Sequence, residues 1–128
     1  MNYKNILFYL GVYSIFVSIL SIINILYSNY FNFNLGINAY LITFAISATI
    51  GIFFCFIGYL EYRNISLIEQ LVFVFLGFLL IPLLLSIPYY LSIYNISFLN
   101  AYFESVSGFT TTGFSTINNI KLYDEPFL

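Results

Sequence analysis

This chain of 128 residues has no histidine, a single cysteine and only 6% charged residues. Without histidine it lacks the usual general base, the commonest zinc ligand and the usual proton shuttle near neutral pH. Cys55, being alone, forms no intrachain disulfide and no multi-cysteine metal site. Three basic residues against five acidic ones give a net charge of −2. That leaves no basic patch for nucleic acid and no long charged tail. No base, metal cluster or nucleophile pair is visible, so an enzyme is not expected and no cofactor is implied.

What fills the chain instead is apolar. Hydrophobic residues make up 62%, against about 45–50% in ordinary globular chains. Residues 5–60 and 70–103 carry no charge at all. About 20 apolar residues at 1.5 Å rise cross a hydrocarbon core of about 30 Å. The first stretch therefore holds two spans, expected at 6–26 and 39–59, and the second holds one, at 67–90, plus a shorter piece. The opening run after Lys4 is too long for a signal peptide and no small-residue cleavage site follows. It reads as a retained span, and membrane lipid as the chain's surroundings.

Punctuation agrees. Tyr27, Tyr30, Phe31 and Phe33 suit a membrane interface. Ser66 to Glu69, "SLIE", is a capping-box pattern opening the third span. Pro82 predicts a kink inside that span, and Pro88 lies near its end. Gly51, Cys55 and Gly77 mark positions where helices could approach closely. Ser97 can cap a further helix over 98–107, ended by Gly108. Ten residues make about 15 Å, too short to cross. Lys4 and Arg63 fall on one side if the spans alternate, and the positive-inside rule makes that side cytoplasmic. The short helix then leaves from the outer side and dips back. The polar run Thr110 to Thr116 is expected to face a cavity, because irregular backbone at membrane depth survives only against protein or water.

A re-entrant helix of this kind aims its carbonyl end, which carries partial negative charge, at the membrane centre. The chain turns at Gly108 and climbs back out through "TTTG". Carbonyl and hydroxyl oxygens there can replace the hydration shell of a bare cation. Gly113 can take positive φ cheaply. Oxygen-only ligands suit hard cations rather than copper or zinc. Glu104 is expected to bond backbone N–H groups behind this loop, since an intramembrane acid normally has a partner or a role.

The stretch "AYFESVSGFTTTGFSTI", with the proline-bearing span before it, resembles the first pore loop of the Trk/Ktr/HKT superfamily of potassium transporters, closest to the TrkH/TrkG type. Two spans ahead of the first pore unit also resemble that branch. The resemblance implies an all-α membrane protein: three transmembrane helices, then a short re-entrant pore helix and an extended filter loop over 110–114. Residues 1–63 would be two leading helices, and 64–128 a first pore unit cut before its second span. Thr111 and Thr112 would ligate potassium, the transported substrate, with Thr110 and Gly113 beside them. Glu104, Ser105 and Gly108 match the pore-helix signature. Ser115 stands where a tetrameric potassium channel has a second glycine, and Phe114 where the family commonly has a small residue, so a less regular outer filter is expected.

Four such units surround one pathway in the family, so this chain would supply a quarter of a filter as the N-terminal fragment of a longer protein. The resemblance further implies the remaining repeats, a homodimer, a cytosolic nucleotide-binding regulatory subunit, and residence in the cell (inner) membrane with the filter opening outward. The alternative is a small structural or accessory integral membrane protein with no transport role of its own.

Overall fold

The computed structural model describes residues 3–32, 36–59, 65–92 and 96–116. They form four helices, α1 (Tyr3–Tyr30), α2 (Ile37–Tyr59), α3 (Leu67–Tyr90) and α4 (Phe98–Phe109), with no strand among the described residues. Arg63, Lys121 and the polar tail from residue 117 lie outside the described residues.

Three of the helices are long and apolar enough to cross a membrane. Their apolar residues are spread around the helix instead of being confined to one stripe. Phe56, Leu67 and Leu71 are each more than 70% exposed. The interior, by contrast, is rich in hydroxyls: Ser14, Ser18, Ser21, Thr43, Ser47 and Ser86 are buried. Each returns its proton to its own helix, as Ser14 does to the Leu10 carbonyl (3.0 Å) and Ser47 to that of Thr43 (2.7 Å). In lipid the tails outside are as apolar as Leu, so helices gain little by hiding large side chains. Association favours small residues that let backbones meet.

The α1–α2 contact follows that rule. Thr43, Ser47, Gly51 and Cys55 recur every four residues along α2. A Cβ added to Gly11 would fall 2.7 Å from the Cys55 amide nitrogen and 2.9 Å from the Gly51 carbonyl oxygen. One added to Gly58 would fall 2.5 Å from the Phe8 Cβ and 2.6 Å from the Lys4 carbonyl oxygen. Two antiparallel helices thus touch backbone to backbone. Gly51 and Cys55 were legible as packing positions; Gly11 and Gly58 complete the seam.

The third span packs on α1 through rings: Phe73 lies 5.5 Å from Tyr9 and 4.9 Å from Tyr13. Its start is as the pattern predicts. Ser66 accepts from the Glu69 N–H (3.4 Å), and the Glu69 carboxylate accepts from the Ser66 N–H (3.0 Å). The helix continues through both prolines as one element.

Four boundaries differ from the sequence pattern, two of them because α1 begins at Tyr3 rather than 6 and α2 at Ile37 rather than 39. The first helix runs to Tyr30 rather than ending near residue 26, because its aromatic tail stacks on itself: Tyr27 and Phe31 are 4.6 Å apart. The short helix runs to Phe109 rather than 107, with Gly108 inside it. Phe109 meets Phe78 edge-on at 5.3 Å, which anchors the final turn.

Candidate functional site

The fourth helix starts where the pattern places it. Ser97 takes extended φ/ψ and accepts from the Asn100 N–H (3.4 Å). Its path is fixed at both ends by α3: Phe98 sits 6.0 Å from Tyr90, and Phe109 sits on Phe78. Tyr90 is the last residue of α3 and Phe78 is its middle. The short helix therefore folds back along the second half of α3, and its carbonyl end stops at half the height of that helix.

How α4 ends decides the chemistry. The Thr112 N–H donates to the Ser107 carbonyl (3.0 Å) and the Thr111 N–H to that of Gly108 (3.1 Å). This pair of bonds is a Schellman closure, which needs a left-handed residue between cap and exit. Glycine normally fills that place. Here Thr111 does, with φ +56°. A β-branched residue in that region is an outlier worth explaining, and such strain gathers at functional sites. Gly108, expected as the turning point, stays helical; the reversal falls on Thr111 because the closure counts back from Phe109. Gly113 takes φ +75°, as its lack of Cβ allows.

The three threonines have spent their protons. The Thr110 N–H and hydroxyl both donate to the Val106 carbonyl (2.9 and 2.8 Å). The Thr111 hydroxyl donates to the Thr110 carbonyl (2.7 Å). Thr110 Oγ1 and Thr112 Oγ1 are 2.6 Å apart, and with the Thr110 proton engaged by Val106, Thr112 is the donor. Every N–H and O–H of residues 110–112 is thus bonded inward, so the turn offers only oxygen lone pairs. Thr110 to Thr116 are exposed, so the described residues do not enclose them as the expected cavity would.

Glu104 reaches across to the departing chain. Its Oε1 accepts from the Ser115 hydroxyl (3.0 Å), the Thr116 hydroxyl (2.8 Å) and the Thr116 N–H. One carboxylate oxygen thereby pins the segment that follows Gly113. Nothing local in the sequence joins positions 104 and 116. Ser105 is buried and donates to the Ala101 carbonyl (2.9 Å). The structure thus gathers Glu104 and the 110–116 loop at one end of α4, and Glu104 also lines, with Ser105 and Gly108, a cavity between α4 and the other three helices.

The chain is, by class, a membrane protein of helical type, with three helices that can span and a shorter one folded against the third. Comparison with known proteins adds a lead beyond that class. A protein of Methanocaldococcus jannaschii, named as an uncharacterized cation transporter, is 31% identical over 130 residues. The match covers 98% of this chain but 26% of the relative, so the chain spans about a quarter of the length of the curated relative it matches. No family model matches the chain, and no solved structure does.

Proposed function

We propose that this chain supplies one wall of a pathway for an alkali cation across a membrane, potassium being the ion that the Trk/Ktr/HKT resemblance implies. The carrying observation is the turn at Thr110–Thr112: its N–H and O–H donors are bonded within the chain, its residues are exposed, and it stands at the carbonyl end of a helix. Hard oxygen ligands at a partly negative helix end favour a cation over an anion. Positive φ at Thr111 and again at Gly113 supports the same reading. Successive carbonyls of an extended chain point opposite ways, and alternating the backbone hand brings them to one side.

The fold-back of α4 to half the height of α3 supports re-entry from one membrane face, with the loop near the midplane. The relative's name, a cation transporter, agrees in kind. One such loop cannot encircle an ion. The pathway would be completed by segments corresponding to the rest of the longer relative, with a homodimer and a cytosolic nucleotide-binding subunit as the partners the resemblance implies.

The test is rubidium uptake and potassium-dependent growth by the full-length protein in cells lacking their own potassium uptake. Replacing Gly113→Ala forces a Cβ into positive φ and should lower uptake at least tenfold with the protein still in the membrane. Thr112→Val removes one hydroxyl and should lower it less. Unchanged uptake in both variants would leave an accessory membrane protein as the better description.

A further inference from the structure

Two buried hydroxyls among the described residues have no hydrogen-bond partner, those of Ser28 and Ser107. The other buried serines each donate to a carbonyl three or four residues back, as Ser105 does to Ala101 and Ser86 to Leu83. Ser107, only 6% exposed, is the one that lies next to the threonine turn. A buried hydroxyl without a partner is costly, and native folds keep few of them. An alanine there would carry no such cost, so the hydroxyl calls for a partner.

Helical spacing sets where Ser107 points. At about 3.6 residues per turn it stands on the face of α4 opposite Phe98, Ser105 and Phe109. Phe98 and Phe109 meet α3, and Ser105 lines the cavity toward α1 and α2. Ser107 therefore faces away from the other three helices, and its own exit chain runs back over it. The Thr112 N–H ties that chain to the Ser107 carbonyl (3.0 Å). The Thr116 hydroxyl ties it to Glu104 (2.8 Å), three residues earlier on α4 and a neighbour of Ser107 on the helix surface. Between these anchors Gly113 and Phe114 make no hydrogen bond among the described residues. Glu104 spends Oε1 on the clamp, so Oε2 takes no part in it.

We propose that Ser107 is a positioning residue: it holds a buried water between α4 and the exit chain, and that water fixes the backbone of Gly113 and Phe114. A buried water makes about two to four hydrogen bonds to groups that lack other partners. Ser107 Oγ, the unbonded main-chain groups of Gly113 and Phe114, and Glu104 Oε2 form such a set. A hydroxyl whose proton is not returned to its helix can both donate and accept. It therefore suits a molecule that does the same better than it suits a bare ion. Gly113, at φ +75°, has no side chain to brace its peptide groups, so the chain there depends on what lies beneath it. The water stands whether or not the turn binds a cation; its effect on transport rests on the function proposed above.

Amide hydrogen exchange and a water-resolving structure of the full-length protein test this. The expected result is a water within hydrogen-bond reach of Ser107 Oγ and of the exit-chain backbone. Ser107→Ala should speed exchange at the Gly113 and Phe114 amides at least tenfold, with exchange in α3 unchanged. Ser107→Cys nearly keeps the shape but bonds weakly, and it should do the same; a packing role would leave that variant slow. Both variants should also lower the ratio of rubidium to sodium uptake. A dry space over Ser107 overturns the proposal. So does exchange that is unchanged or slower in Ser107→Ala, because deleting a hydroxyl that truly has no partner costs nothing. Faster exchange with an unchanged uptake ratio would instead sink the filter reading and leave the role of Ser107 standing.

Discussion

The two halves of this bundle solve the same problem differently. Residues 3–59 fold into a pair of helices whose backbones touch, with Gly11, Gly51 and Gly58 leaving no room for a side chain. Residues 65–116 fold into a long helix and a short one held by rings at Tyr90–Phe98 and Phe78–Phe109. Around that second pair there is space: a cavity of about 160 Å³ reaching from Ser21 to Gly108, and an apolar groove of about 300 Å³ reaching from Tyr13 to Phe109. The chain reversals differ in the same sense. α1 leaves through Asn32 at φ +58°, a residue that tolerates the left-handed region. α4 leaves through Thr111, which does not. A close-packed seam resists change, whereas a loosely seated helix with a strained exit can be adjusted by what binds to it. The first half is a close-packed seam, and the second keeps the open space and the strained turn.

The contrast can be broken at the seam. Gly58→Leu would drive a side chain into the α1 backbone and should cost about 3 kcal/mol or more, since overpacking of tight contacts typically costs ~1–3 kcal/mol. The readout is melting temperature and monodispersity in detergent. Gly77→Ala should be far milder, because its Cβ would lie 3.4 Å from the movable Tyr13 ring. Equal losses at both positions would show that the seam is not special.

It can be sharpened at two glycines five residues apart. Gly113→Ala should destabilise by about 1 kcal/mol, because the left-handed region costs L-residues ~1–2 kcal/mol. Gly108→Ala should be neutral or stabilise by up to ~1 kcal/mol, since the site is helical and open. Same-sign shifts would contradict the placement of the turn. Glu104→Ala should speed hydrogen exchange at the Thr116 amide, and Glu104→Gln less so, because the amide oxygen still accepts. The smallest effect is expected at Ser66→Ala. Lost N-caps cost ~0.5–2 kcal/mol, and with a long 3.4 Å bond to Glu69 the loss should fall near ~0.5 kcal/mol.

The spans were legible because each depends on its own composition and length. Leu67–Tyr90 needs only its apolar run and the Ser66–Glu69 box, and both are local. Ser97 announced α4 for the same reason. The end of α4 was not legible. Gly108 looks like the terminator, yet Phe109 finds Phe78 across the bundle and carries the helix two residues on. That contact shifts the left-handed position from glycine to threonine. The bonds from Ser115 and Thr116 to Glu104 span eleven and twelve positions, a separation with no period to betray it.

Sequence alone determined that this protein has three helices able to cross a membrane, a capped short helix after them and a threonine-rich exit. These follow from hydrophobic runs and from capping bonds between residues three apart. Tertiary structure alone decided that Gly11 and Gly58 meet the facing backbone, that Thr111 bears the reversal, and that Ser21, Thr43 and Ser105 line one cavity. Those outcomes depend on which helix faces meet, and facing surfaces are set by packing between segments far apart in the chain.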